Sequence, residues 1–105
     1  MKPDAAAQTQ KLLDSLWIRN LPMVKERLLT LDRAAETARS ATLTLPLRRD
    51  AAMTAHKLAG SVGMYGYTDG TEIARKLELI FDNPADPDPE RLSVLATELR
   101  RSLKL

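Results

Sequence analysis

The chain has 105 residues, of which 44% are hydrophobic and 29% charged, with a formal net charge of +2 and no cysteine. That length suits one domain, read as residues 1–105, and is too short for two. The missing cysteine excludes disulfides and thiolate chemistry. The small net charge gives no support to a nucleic-acid partner, and no stretch is long and apolar enough to cross a bilayer.

Aromatic residues make up only 4% of the chain. The core must therefore be built from Leu, Ala, Ile, Val and Met, a mixture that favours helices. The start Met1-Lys2-Pro3-Asp4-Ala5 is soon followed by Gln8, Thr9, Gln10 and Lys11, so the apolar stretch of a signal peptide is missing and a cytoplasmic location is expected.

Five helical segments are predicted. The first spans about residues 6–19, with Leu12, Leu13, Leu16 and Trp17 at helical spacing. Asn20-Leu21-Pro22 is expected to interrupt it, because a residue before proline is pushed out of the helical region. Pro22 can then open the second segment as its first helical residue, with Leu21, Val24, Leu28, Leu31, Ala35 and Ala38 as its apolar stripe. The third follows Thr44-Leu45-Pro46, ends near Gly66 and contains the only histidine, His56. Asp69 with Glu72 three residues on resembles a capping box at the start of the fourth, whose stripe is Ile73, Leu77, Ile80 and Phe81.

The proline-rich run from Asp82 to Pro89 must be a loop, and it lacks the glycine and closing glutamate of a calcium site. Asp88 as N-cap and Pro89 in the first turn start the fifth segment, lined by Leu92, Leu95, Ala96, Leu99 and Leu103. The expected fold is all-α: an antiparallel four-helix bundle with an additional N-terminal helix covering one end or groove.

At about 100° per residue, Leu47, Ala51, Thr54, Leu58, Val62 and Tyr65 fall within about 60° of the pole opposite His56. The imidazole is therefore expected in solvent, with Gly60 and Gly63 one and two turns beyond it on its own side. Each glycine inside a helix costs about 1 kcal/mol relative to alanine. Bare backbone beside a histidine admits close approach by a partner, which is the reason inferred for both. Lys57 and Ser61 place a cation and a hydroxyl nearby, either able to steady phosphoryl oxygens.

Blander roles fit other residues. Trp17 is expected to pack over the bundle, and Gly66 to cap its helix. Arg48, Arg49, Arg75 and Lys76 are expected on solvated faces, with a secondary role in orienting an acidic partner. Met53 and Met64 fit edge packing and adaptable contact equally. One histidine without cysteine disfavours a metal site, since only carboxylates remain as co-ligands. His56 and Ser61 diverge by about 140° on one helix, which disfavours a Ser-His-Asp arrangement.

The segment His56-Lys57-Leu58-Ala59-Gly60-Ser61-Val62-Gly63-Met64-Tyr65-Gly66 is similar to the signature of the histidine-containing phosphotransfer (HPt) domain family. Leu58, Gly60, Ser61 and Gly66 stand at the expected offsets from His56. Ala74-Arg75-Lys76-Leu77-Glu78 resembles the Leu-Glu of the next helix in many members. One departure is Ala59, where many members carry a lysine that helps hold the phosphoryl group; Lys57 or Lys76 could take that role.

The resemblance implies a relay in which His56 Nε2 takes a phosphoryl group from, and returns it to, aspartates of receiver domains in two-component signalling. It implies no nucleotide site, and none of the usual phosphate-binding glycine loops is present. The receiver would supply the aspartate, magnesium and most of the transition-state stabilisation. The protein is thus expected to be a phosphorylated intermediate without cofactor or metal, not an enzyme. Its partners would be a response-regulator receiver domain, a hybrid histidine kinase, or both. Gly60 and Gly63 would permit docking, Lys57, Ser61 and Lys76 would assist, and Arg75 would contact the partner. The alternative is a helical adaptor that binds a receiver without transferring phosphate.

Overall fold

The computed structural model describes residues 5–105. These form four helices, α1 (Ala5–Ser40), α2 (Leu45–Met64), α3 (Thr68–Asp82) and α4 (Pro89–Ser102). Contacts run from α1 to α2, α2 to α3, α3 to α4 and α4 back to α1, closing a ring around one core. The expectation for the segment Met1 to Ala5 rests on residues 1–4, which lie outside the described residues.

The expected fifth helix does not exist as a separate element. The first two predicted segments are one 36-residue helix that runs through Pro22. Proline lacks the N–H that would bond to the carbonyl four residues back, and an interior proline costs a helix roughly 3 kcal/mol. Contacts on both sides of Pro22 hold the helix to the same face. Upstream, Trp17 lies against Tyr65 and Tyr67, with ring centroids 5.4 and 4.7 Å away. Asn20 Nδ2 donates to the Tyr65 hydroxyl at 2.6 Å. Downstream, Val24, Leu28 and Leu31 are buried.

The additional N-terminal helix expected to cover one end or groove is instead the upstream part of α1, which reaches the bundle through Trp17 and Asn20. A 36-residue helix spans about 54 Å at 1.5 Å per residue, whereas α4 has only 14 residues. Extents of 61 × 20 × 19 Å follow from this mismatch, and Leu12 and Ile18 remain exposed on the long helix.

The remaining elements are set by local chemistry. The Thr44 hydroxyl accepts from the Leu47 N–H at the start of α2, with Pro46 in the first turn. At its end Gly66 adopts φ +87°, and two reversed hydrogen bonds form, Gly66 N–H to the Gly63 carbonyl and Tyr67 N–H to the Val62 carbonyl. This is a Schellman cap, and glycine takes its left-handed position without steric strain. The cap leads straight into α3, whose N-cap is Tyr67, with no capping side chain. The Asp69–Glu72 capping box therefore does not form, because α3 begins one residue ahead of Asp69 and places it in the first turn. At α4, Asp88 accepts from the Glu90 N–H at 3.0 Å, as its N-cap position predicts.

The core takes Leu28, Leu31, Leu58, Leu77, Phe81, Leu92, Leu95, Leu99 and Leu103. Arg48 is an exception to its expected solvated placement: it is buried. Its Nη1 donates to the carbonyls of Asn83 and Ala85, the latter at 3.2 Å. The α3–α4 loop, expected to be a plain connector, is thus tied to α2. Asp32 receives a two-pronged hydrogen bond from Arg100, one prong of 2.8 Å, linking α1 to α4. That bond raises the Arg100 pKa above its ordinary value, against the opposing effect of burial.

Candidate functional site

The face of α2 opposite its core leucines carries His56. Ala51, Leu58 and Val62 of the predicted stripe are buried, and Leu47, Thr54 and Tyr65 are half-buried. The buried surface is nevertheless wider than that stripe, since Ala52, Ala55 and Ala59 are also covered. These small residues let α3 lie close along α2, so His56 stands at the rim of the α2–α3 seam and not on an isolated face.

The His56 side chain is 69% exposed, whereas the Glu78 side chain beside it is only 24% exposed. His56 Nδ1 lies 2.8 Å from Glu78 Oε2. A carboxylate can only accept, so in the neutral ring Nδ1 carries the hydrogen and Nε2 keeps its lone pair. Nε2 has no hydrogen-bond partner among the described residues. In the neutral ring, this arrangement anchors one nitrogen and leaves the other, nucleophilic nitrogen free.

Residues 15–104 match the family model of the Hpt domain. The chain belongs to the Hpt domain family. Hpt domains are histidine phosphotransfer modules of two-component phosphorelays rather than enzymes of the usual kind, and receiver domains and kinases are their partners. No curated protein and no solved structure matches the chain. Among the described residues no helix of this Hpt domain is long and apolar enough to cross a membrane.

The residues expected around His56 divide into those brought to it and those turned elsewhere. Gly60 adjoins the histidine, and a Cβ built on it would meet nothing within 4 Å. Gly63 has a different environment from the open one expected: a Cβ there would come 2.7 Å from Thr71 Oγ1. Its missing side chain makes room for α3. Thr71 uses that space to donate its hydroxyl hydrogen to the Ala59 carbonyl at 3.0 Å. Ser61 donates to the Lys57 carbonyl at 2.7 Å and accepts from Arg27 Nη1 at 3.1 Å. Its hydroxyl therefore faces α1 and does not join the histidine.

Lys57 is exposed and lines neither hollow beside the ring. Lys76 lines a groove between α3 and α4 with Asp69, Glu72, Glu98 and Arg101, away from the histidine. Arg75, by contrast, lines a hollow with His56, Gly60 and Glu78. Ala59, where many Hpt domains have lysine, is 5% exposed and lies in the α2–α3 seam.

Glu78 as the partner of His56 was not among the expected site residues. The signal was available in the hairpin register. The tight turn centres on Gly66, with His56 ten residues before it and Glu78 twelve after. Antiparallel helices joined by so short a link bring roughly equidistant residues together. Met53 and Leu79, both exposed, add apolar surface to the two hollows flanking the ring.

Proposed function

We propose that this Hpt domain carries a phosphoryl group on His56 Nε2 and relays it to and from aspartates of receiver domains. The observation that carries this reading is the pairing of Nδ1 with Glu78 while the rest of the ring is exposed. In the transfer, the Nε2 lone pair attacks phosphorus of the receiver's aspartyl phosphate. The N–P bond forms, and the P–O bond to aspartate breaks with its electron pair leaving on the carboxylate. The ring gains positive charge, and the Nδ1–H···Glu78 hydrogen bond stabilises it as that charge develops.

Gly60 contributes open space for the receiver's approach, and Met53 and Leu79 contribute apolar contact. Arg75 supplies positive charge beside the ring for an incoming anionic group. Neither Ser61 nor Lys76 reaches the ring from its present position, and Gly63 serves the seam behind it. The chain holds the phosphoryl group between partners and needs no nucleotide or metal of its own for that role.

The test is transfer from a phosphorylated receiver to this protein. The expected product is an acid-labile, base-stable label that His56→Gln abolishes. A label that persists in His56→Gln contradicts the assignment. Receiver binding without any label on the wild type supports the adaptor reading instead.

A further inference from the structure

Two shallow hollows flank the His56–Glu78 pair along the α2–α3 seam. One is lined by Ala59, Gly60, Arg75 and Leu79, and the other by Arg49, Ala52, Met53 and Asp82. Each holds one arginine. Arg27, Arg39, Arg48 and Arg100 are engaged by hydrogen bonds or ion pairs, but Arg49 and Arg75 have no such partner among the described residues. Both guanidinium groups next to the ring are uncommitted.

The hollows differ in charge and in room. Beyond Glu78, which borders both, the Arg49 side contains a second carboxylate, Asp82, whereas the Arg75 side contains none. An anionic group is therefore repelled more strongly on the Arg49 side. The Arg75 side also has the open surface of Gly60, where a Cβ would touch nothing, while Met53 occupies the other. Lys57 and Lys76 line neither hollow.

We infer that Arg75 is the residue that holds the oxygens of the phosphoryl group on His56, over the surface left bare by Gly60. This rests on the relay proposed above and names the cation that serves it. Guanidinium presents its N–H donors in a planar fork that matches two phosphoryl oxygens at once. Arg75 acts from α3, across the seam from the nucleophile, and its charge offsets that of Glu78 once a dianion is added beside the ring. It is a positioning residue for the phosphorylated state and is not needed for the fold, since its side chain is exposed.

The probe is phosphoramidate, a small donor that needs no receiver. Its P–N bond breaks as the bond to Nε2 forms, and ammonia leaves. The labelled fraction is titrated against the ratio of phosphoramidate to ammonium in wild type, Arg75→Gln, Arg75→Lys, Arg49→Gln and Lys57→Gln. The melting temperature of each is recorded alongside. The ratio needed for half-labelling is expected to rise about three- to tenfold in Arg75→Gln, the range of an exposed charge-assisted hydrogen bond. Arg75→Lys should recover part of the loss, Arg49→Gln and Lys57→Gln should stay within about twofold, and melting should not move. Half-labelling of Arg75→Gln at the wild-type ratio overturns the Arg75 assignment alone. An equal or larger effect of Arg49→Gln or Lys57→Gln also overturns it. Wild type that takes no label at His56 contradicts the relay itself, and the Arg75 assignment with it.

Discussion

Gly60 and Gly63 lie three residues apart in one helix, and replacing each by alanine should have opposite consequences. Helix propensity alone favours alanine over glycine by about 0.5–1 kcal/mol at both positions. At Gly60 nothing opposes that gain, because the added Cβ meets open space. At Gly63 the Cβ would come 2.7 Å from Thr71 Oγ1. Either α3 moves outward, or Thr71 turns and its hydroxyl loses the Ala59 carbonyl, now 3.0 Å away. Overpacking costs about 1–3 kcal/mol and a lost hydrogen bond about 1 kcal/mol; set against the propensity gain of about 0.5–1 kcal/mol, the net is a loss of up to about 2 kcal/mol.

At about 4–6 °C per kcal/mol for a domain near this size, Gly60→Ala should melt about 2–6 °C higher than wild type and Gly63→Ala lower than wild type by up to about 12 °C. Circular dichroism melts and urea titrations measure both. A Thr71→Ala background should remove the penalty and let Gly63→Ala behave like Gly60→Ala, since the two residues are in contact and their effects should not add. Equal stabilisation by both alanines in the wild-type background refutes the account of the seam.

Other expectations follow from the same geometry. Arg48→Met should destabilise by about 1–3 kcal/mol in urea titration, since two loop carbonyls lose their donor. Asp86→Asn should change stability by less than about 0.5 kcal/mol, because Asp86 is 77% exposed and lies 3.7 Å from Arg48 Nη2. A null effect of Arg48→Met would show that the loop does not depend on this tie. Glu78→Gln keeps an acceptor for Nδ1–H but loses the charge, and should slow labelling about two- to fivefold. Glu78→Leu removes the acceptor and should slow labelling further, and wild-type rates in both variants would dissociate Glu78 from the chemistry.

Much of the fold was legible because periodicity and punctuation agreed. Thr44 with Pro46, Gly66 and Asp88 with Pro89 mark the boundaries of α2 and α4 by chemistry that is local to a few residues. The Pro22 prediction failed for a non-local reason. Contacts of Trp17 and Asn20 with Tyr65 and Tyr67 lie more than 40 residues away in sequence, and no local rule weighs them against the proline. Arg48 was misplaced for the same reason, since its partners are carbonyls of a loop 35 and 37 residues on.

At the candidate site, the exposure of His56 could be read from one helix. The roles of its neighbours could not, because they depend on how α3 registers against α2. Helical spacing put Gly60 and Gly63 on one side together, yet the space beside them differs, open at Gly60 and filled by Thr71 at Gly63. It likewise separates Arg75 from Lys76, adjacent in sequence, into different grooves. Glu78 was visible as a residue of the family's pattern, but its hydrogen bond to Nδ1 emerges only from the hairpin.

Nitrogen and phosphorus NMR of the phosphorylated, 15N-labelled protein distinguishes Nε2 from Nδ1 as the phosphoryl acceptor, since a single histidine gives one pair of ring nitrogens. Phosphorus coupled to Nε2, with Nδ1 retaining its bond to Glu78, is the predicted result. Phosphorus on Nδ1, or a phosphorylated protein whose imidazole nitrogens are unchanged, would contradict it.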